Sequence, residues 1–388
     1  MTSLRTPGPS ALQLSAPGPG GQWLLVVIAK RTYTIARSGE CIPAPEQLPL
    51  RTAPLFHAER KTQLVADLDI FPWKELTDVV VRGHAYPGVK GSATTAEVAV
   101  RDTVKRLAVI GDRRTSTGPG GKIQFSSSEP FDCIPLEYDR AYGGWDERTE
   151  LKYVDYLAPI APYLQENSDP HAHSLFVYPR NRHGRGYIVK ASAEGLDGML
   201  LPNLEDPAER LTPEGLVVTN PLLWHRMPLP AGTTWVPFSY FGRGAFVGMF
   251  PFWQPLPEVL PEIERGYLPD AVRKVSVFNA DPLILRSTNG ASLGLQLPYL
   301  QPRERMRLLQ LHPVHPKLEL ELPDDAPRIA VDGRNGKLSW TDPVIHSVEI
   351  EPDENRLSIV WRGAAAALRP YLPAELETMP MRVEWRDS

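Results

Sequence analysis

Proline constrains this chain more than any other residue: 41 of its 388 residues are Pro, roughly twice the ordinary usage of about 5%. Each Pro fixes φ and lacks a backbone N–H, so one placed inside a helix or a central strand forfeits a hydrogen bond. Distributed along the whole sequence, they disfavour long helices and favour short extended elements joined by ordered turns. The remaining composition is that of a folded protein, 42% hydrophobic and 23% charged, so the chain can bury a sizeable core.

Charge and cysteine content set aside several classes. The 42 basic and 46 acidic residues leave a net charge of −4, which offers no field to attract nucleic acid or anionic lipid. Cys41 and Cys133 are the only cysteines, too few for a disulfide framework and without CxxC spacing, which fits a reducing cytoplasm. The longest apolar run, residues 23–29, has no basic segment before it and leads directly into Lys30 and Arg31. It reads as a buried strand, not as a signal peptide or a membrane span. The expectation is a cytoplasmic protein with no membrane insertion.

Residues 1–21 are rich in Pro, Gly and Ser and lack a periodic apolar face, which predicts a mobile tail. Residues 23–35 read as a strand, 61–68 as a second, and DVVVRGHA at 78–85 as a strand buried on both faces. Residues 96–101 and 105–111 continue the β pattern, with a Gly- and Pro-containing loop at 113–121. Residues 151–261 alternate aromatics with Pro and Gly and read as loop-rich, with one amphipathic helix at 257–267. Beyond 275 short apolar runs return: KLELEL at 317–322, 328–331 and 337–340 around Asp332-Gly333, and 356–361. The predicted fold is mainly β with a few short helices, comprising an N-terminal β-sheet region, a loop-rich middle and a C-terminal β-meander. The predicted divisions are a tail at 1–21, a β-rich domain with a loop-rich insert at 22–270, and a C-terminal β-rich region at 271–388.

Four patterns could carry chemistry. Gly290-Ala-Ser292-Leu-Gly294 matches the GxSxG elbow of serine hydrolases, but the residues that follow run into Pro298 with strand-like alternation where an elbow needs a helix, so a hairpin turn is the favoured reading. His171, His173, His312 and His315 lack helical i, i+4 spacing and read as solvated or capping residues, not metal ligands. The GPGG segments at 18–21 and 118–121 lack the strand, Lys-Ser/Thr and helix of a phosphate loop. The densest polar and aromatic cluster is residues 137–147. Its Glu137, Asp139 and Asp146 could form the acid/base pair of a carboxylate-dependent hydrolase. The favoured alternative is a bracing network with the tyrosines packed beneath it and the glycines in a turn.

That same cluster, Tyr138-Asp139-Arg140-Ala141-Tyr142-Gly143-Gly144 followed by Asp146, resembles the "YxRAFGG-D" signature of an uncharacterised-domain family of type VI secretion accessory proteins, with Tyr142 at the family's Phe. Other blocks agree in order: Lys30 and Tyr33; Thr77-Asp78-Val79 and Gly83-His84-Ala85-Tyr86; LAVIGDR at 107–113; Gly184-Arg185-Gly186 in the place of an "N-GRG-" element; and Leu201-Pro202-Asn203-Leu204-Glu205-Asp206-Pro207. The resemblance implies an adaptor or chaperone that binds a secretion effector, a VgrG-like or PAAR-like spike protein, or both, and that works without a cofactor or a metal. It brings no catalytic residue with it.

The aromatic run at 235–253, which includes Trp235, Tyr240, Phe241, Phe246, Phe250, Phe252 and Trp253, carries few charges. It suits a protein-binding surface, as does Trp145, or equally a wedge inside the core.

Overall fold

Trp23–Ile35 is the longest strand, and the reason lies in its two faces. Leu25, Val27 and Ala29 point into a cluster with Ile329, Val331, Tyr371 and Met379, while Leu24, Val26 and Ile28 pack with Leu50 and Val360 on the other side. Unbroken apolar sequence is therefore what this position requires, and each such side chain contributes on the order of 1.5–3 kcal/mol on burial. The computed structural model describes residues 10–18, 21–58, 63–150, 176–189, 196–218, 221–237, 264–265, 289–332 and 336–385.

The protein is mainly β, with helices as short as Glu147–Glu150 and Pro373–Leu376. Its largest sheet has seven strands, in the order Ala11–Pro17, Trp23–Ile35, Arg356–Ala366, Val344–Glu351, Thr77–Val81 and Gln296–Leu297, with Cys41–Pro43 also paired to Trp23–Ile35. All neighbours are antiparallel except Val344–Glu351 and Thr77–Val81, which run parallel. A second, antiparallel sheet of five strands runs Leu204–Glu205, Thr103–Ile110, Ala93–Val100, Arg305–Leu309 and Lys317–Glu321. A three-stranded sheet centred on Arg328–Asp332 packs against the first. One contiguous core takes Tyr33, Val79, Val80 and Val81 from the large sheet and Val98, Leu107, Val109, Leu308 and Leu320 from the second.

Two expectations are corrected. The segment expected to be a mobile tail contains a strand, Ala11–Pro17, held residue for residue against Trp23–Ala29. Tyr371 N–H also donates to Ser15 Oγ at 3.0 Å. Pairing to a fully buried strand orders a sequence whose own apolar pattern is weak. In addition, both large sheets contain strands from both sides of residue 270, interleaved in the seven-stranded one, so no sheet ends at that point. The predicted helix at 257–267 falls almost wholly outside the described residues. Among the described residues no helix is long and apolar enough to cross a membrane.

Candidate functional site

The signature cluster folds as a 3₁₀ turn, Tyr138–Arg140, followed by the short strand Tyr142–Gly143, which pairs in parallel with Arg185–Gly186. Asn181, fully buried, ties the turn together: its Nδ2 donates to the carbonyls of Tyr138 at 2.7 Å and Tyr142 at 3.0 Å, and its own carbonyl accepts Gly144 N–H at 2.8 Å. The two glycines are dictated by this approach. Gly143 has φ +147°, and a Cβ there would meet the Asn181 carbonyl oxygen at 2.1 Å; at Gly144, φ +112°, it would meet the Gly184 carbonyl oxygen at 2.6 Å. Asp146 completes the turn by accepting Val189 N–H at 2.9 Å.

The third block joins the same network. Asn203 N–H donates to the Arg140 carbonyl at 2.8 Å, while its side chain accepts Arg185 Nη1 at 3.0 Å and donates to Asp112 Oδ1 and the Ile110 carbonyl, both at 2.9 Å. Glu205, almost fully buried, receives Arg113, Arg210 and Leu211 N–H, and Arg113 also donates to the Pro202 carbonyl. Gly186, φ +92°, packs against the Pro202 ring. Four sequence blocks spread over residues 110–211 thus form one hydrogen-bonded frame at the edge of the five-stranded sheet. Burial pushes the Tyr142 hydroxyl well above its ordinary value, with Tyr178 and Tyr187 adding to the effect, so it stays neutral inside the frame.

A second brace uses the earlier motif residues. Asp78 is fully buried and accepts Lys74 Nζ at 2.6 Å, Asn289 Nδ2 at 3.1 Å, and the N–H groups of Gly290 and Ala291 at 3.0 Å. Gly83, φ +123°, leaves room for Asp353, which receives Tyr86 Oη at 3.0 Å and lies 2.7 Å from His84 Nδ1. The two braces meet at Ser292. Its Oγ donates to the Thr234 carbonyl at 2.9 Å, so the Tyr138 hydroxyl, 2.8 Å away, is the donor to Ser292.

These contacts decide how the candidate chemistry reads. Ser292 is buried and its only proton goes to a backbone carbonyl; the chain turns at Leu293-Gly294 and enters the strand Gln296–Leu297, not a helix. Glu137 accepts Gln63 Nε2 at 3.1 Å, and Asp139 lies buried, 3.8 Å from Arg140 Nε. His312 Nδ1 accepts Val314 and His315 N–H at 3.0 Å, which is a capping role. His171 and His173 lie outside the described residues, among which no cluster of His, Cys, Asp or Glu could hold a metal ion. Gly118-Pro-Gly-Gly121 caps the hairpin between Thr115–Thr117 and Ile123–Phe125.

Trp235, which the sequence left open between a binding surface and a core wedge, is 1% exposed. It bridges to Ala291, and Lys74 Nζ lies 5.2 Å from its ring centroid, so it is a wedge between segments and not a surface anchor. Tyr240, Phe241, Phe246, Phe250, Phe252 and Trp253 lie outside the described residues. Trp145, beside the frame, is 38% exposed. Sequence reasoning missed Asn181 and Arg180, both fully buried; Arg180 stacks 4.9 Å from the Trp224 ring and donates to the Tyr178 hydroxyl at 2.9 Å. Their signal was two strongly polar residues just after the apolar stretch Phe176-Val177-Tyr178-Pro179.

Fold and site together define a mainly β protein in which residues 138–146, 181–189 and 201–211 are tied into one hydrogen-bonded frame. The chain belongs to the family described as an uncharacterized protein conserved in bacteria (DUF2169), with the match covering residues 20–362. No curated protein and no solved structure matches it.

Proposed function

We propose that this protein is an effector adaptor or chaperone of type VI secretion, which binds an effector, a VgrG-like or PAAR-like spike protein, or both, in the cytoplasm and promotes loading. The observation that carries the reading is the use made of the signature residues. Gly143, Gly144, Asp146, Asn203 and Glu205 spend their polar atoms or their φ freedom on bracing the backbone, and Arg185 holds the Asn203 side chain. A motif that fixes shape suits a function in which shape is the product, namely a preorganised surface for another protein. Exposed Trp145, carried directly on the frame between Gly144 and Asp146, is the kind of rigid aromatic anchor that dominates protein interfaces.

The experiment is affinity purification of the tagged chain from its native cytoplasm, with the neighbouring genes intact, and mass spectrometry of what accompanies it. Recovery of a spike protein or a toxin-like effector, reduced by Trp145→Ala in a chain that still melts normally, is the expected result. A folded chain recovered without either partner would overturn the proposal.

A further inference from the structure

The sheet face that carries the buried ion pairs also holds a cation with no anion against it among the described residues. Val344–Glu351 pairs with Arg356–Ala366, but the register shifts between Ile345 and Ser347, which makes His346 the extra residue of a β-bulge. Arg362 sits opposite Val344 in this ladder, a diagonal neighbour of His346. Only 7% of Arg362 is exposed, its Nε and Nη1 have no acceptor, and its guanidinium lies 4.3 Å from the Trp73 ring centroid. His346 is fully buried with neither ring nitrogen hydrogen-bonded.

The acids on the same face are already committed. Asp78 is held by Lys74 and the Gly290 and Ala291 N–H groups, Asp69 by Lys30 and Arg51, and Glu349 by Arg51 and Arg82. A guanidinium cannot shed its charge as a lysine can, so an unpaired one beneath the surface is among the most costly groups a fold retains. Burial lowers both the Arg362 and the His346 pKa, with Lys74 and Arg362 adding to the effect on His346. Most buried polar groups in proteins are satisfied, whereas here Arg362 has two nitrogens and His346 both ring nitrogens without a partner, and the Arg362 charge bears directly on His346.

We propose that Arg362, His346 and Trp73 form a binding site for a carboxylate anion. Arg362 supplies charge and N–H donors, and neutral His346 supplies one ring N–H. Trp73 backs the guanidinium with its ring face and fixes its plane. A planar carboxylate matches these donors, and Val344 and Trp73 are only half-buried, which puts the site just below the surface.

The test is thermal unfolding of the full chain in sodium acetate against sodium chloride at equal ionic strength, for the wild type, Arg362→Met and Glu75→Gln. In the wild type, acetate should raise the melting temperature beyond chloride in a saturable way. Arg362→Met should abolish that excess while melting in chloride no lower than the wild type, because it removes an unpaired buried cation. An excess that persists in Arg362→Met, or no excess in the wild type, would overturn the site. An excess seen only after exposed Glu75 is replaced would also overturn it, since the chain would then supply its own carboxylate. Should Arg362→Met fail to fold, the Arg362 Nε–H resonance of the wild type decides: a saturable shift with acetate supports the site, and a flat titration rejects it.

Discussion

At residue scale, Asp78 is the clearest case of one side chain holding distant parts of the sequence together. Its acceptors reach the 289–291 segment, 212 residues away at Gly290, and its ion-pair partner, Lys74, is just as deeply buried. Removing one member of a buried pair leaves the other charge uncompensated, which costs about 3–5 kcal/mol. Asp78→Ala should therefore lose about that much stability in urea denaturation, with the slope of the transition unchanged. Made in a Lys74→Met background, the same substitution should cost less, because the stranded cation is gone and only the backbone acceptors are lost. Equal losses in both backgrounds would mean that the N–H bonds, not the ion pair, carry the effect. Asp78 was legible in the sequence as a motif position, but its role was not, since the Asn289 amide and the backbone N–H groups it accepts lie more than 200 residues away. Gly143 and Gly144 were legible as a turn, and the Asn181 carbonyl that excludes any Cβ at Gly143 was not.

At element scale, the strands that could be read were those whose pattern is imposed by burial. KLELEL at 317–322 buries Leu318, Leu320 and Leu322 and turns Lys317 and Glu319 outward, as alternation requires. Ala11–Pro17 could not be read, because what orders it is the edge of its neighbour and not its own residues. The Val344–Glu351 strand shows what patterning hides: Glu349 is inward, paired to Arg51 and Arg82. Burial alone would raise this carboxyl, but Arg51, Arg82, the Arg51 hydrogen bond and Lys30 hold it well below the ordinary 4.5. A depressed folded-state pKa stabilises above the unfolded value, and that contribution fades as pH falls below it toward the folded value. The stability gap between the wild type and Glu349→Gln, measured by urea denaturation, should be full at pH 7 and shrink steadily below about pH 4.5. A gap that does not change down to pH 3 would place the carboxylate outside the ion-pair network.

At the scale of the whole molecule, the order of the strands decides how the chain can be divided. In the seven-stranded sheet, Trp23–Ile35 and Thr77–Val81 come from the first quarter of the chain, yet they are separated by Arg356–Ala366 and Val344–Glu351 from its end. The second sheet also spans both parts of the chain, since Arg305–Leu309 pairs with Ala93–Val100. Strand existence follows local pattern, but strand order follows contacts that no window of sequence contains, which is why a division near residue 270 could look natural. A segment of residues 1–270 would leave the apolar edge of Trp23–Ile35 and the three valines at 79–81 without their neighbours, along with the core between the sheets. Expressed alone, it should show no cooperative thermal transition by circular dichroism, and neither should 271–388. Mixed, the halves should regain one transition, because each supplies strands for the gaps in the other. A cooperative transition in 1–270 alone would mean that the central strands of the large sheet are added to an already stable unit, so that the frame around Tyr138–Gly144 could fold without the end of the chain.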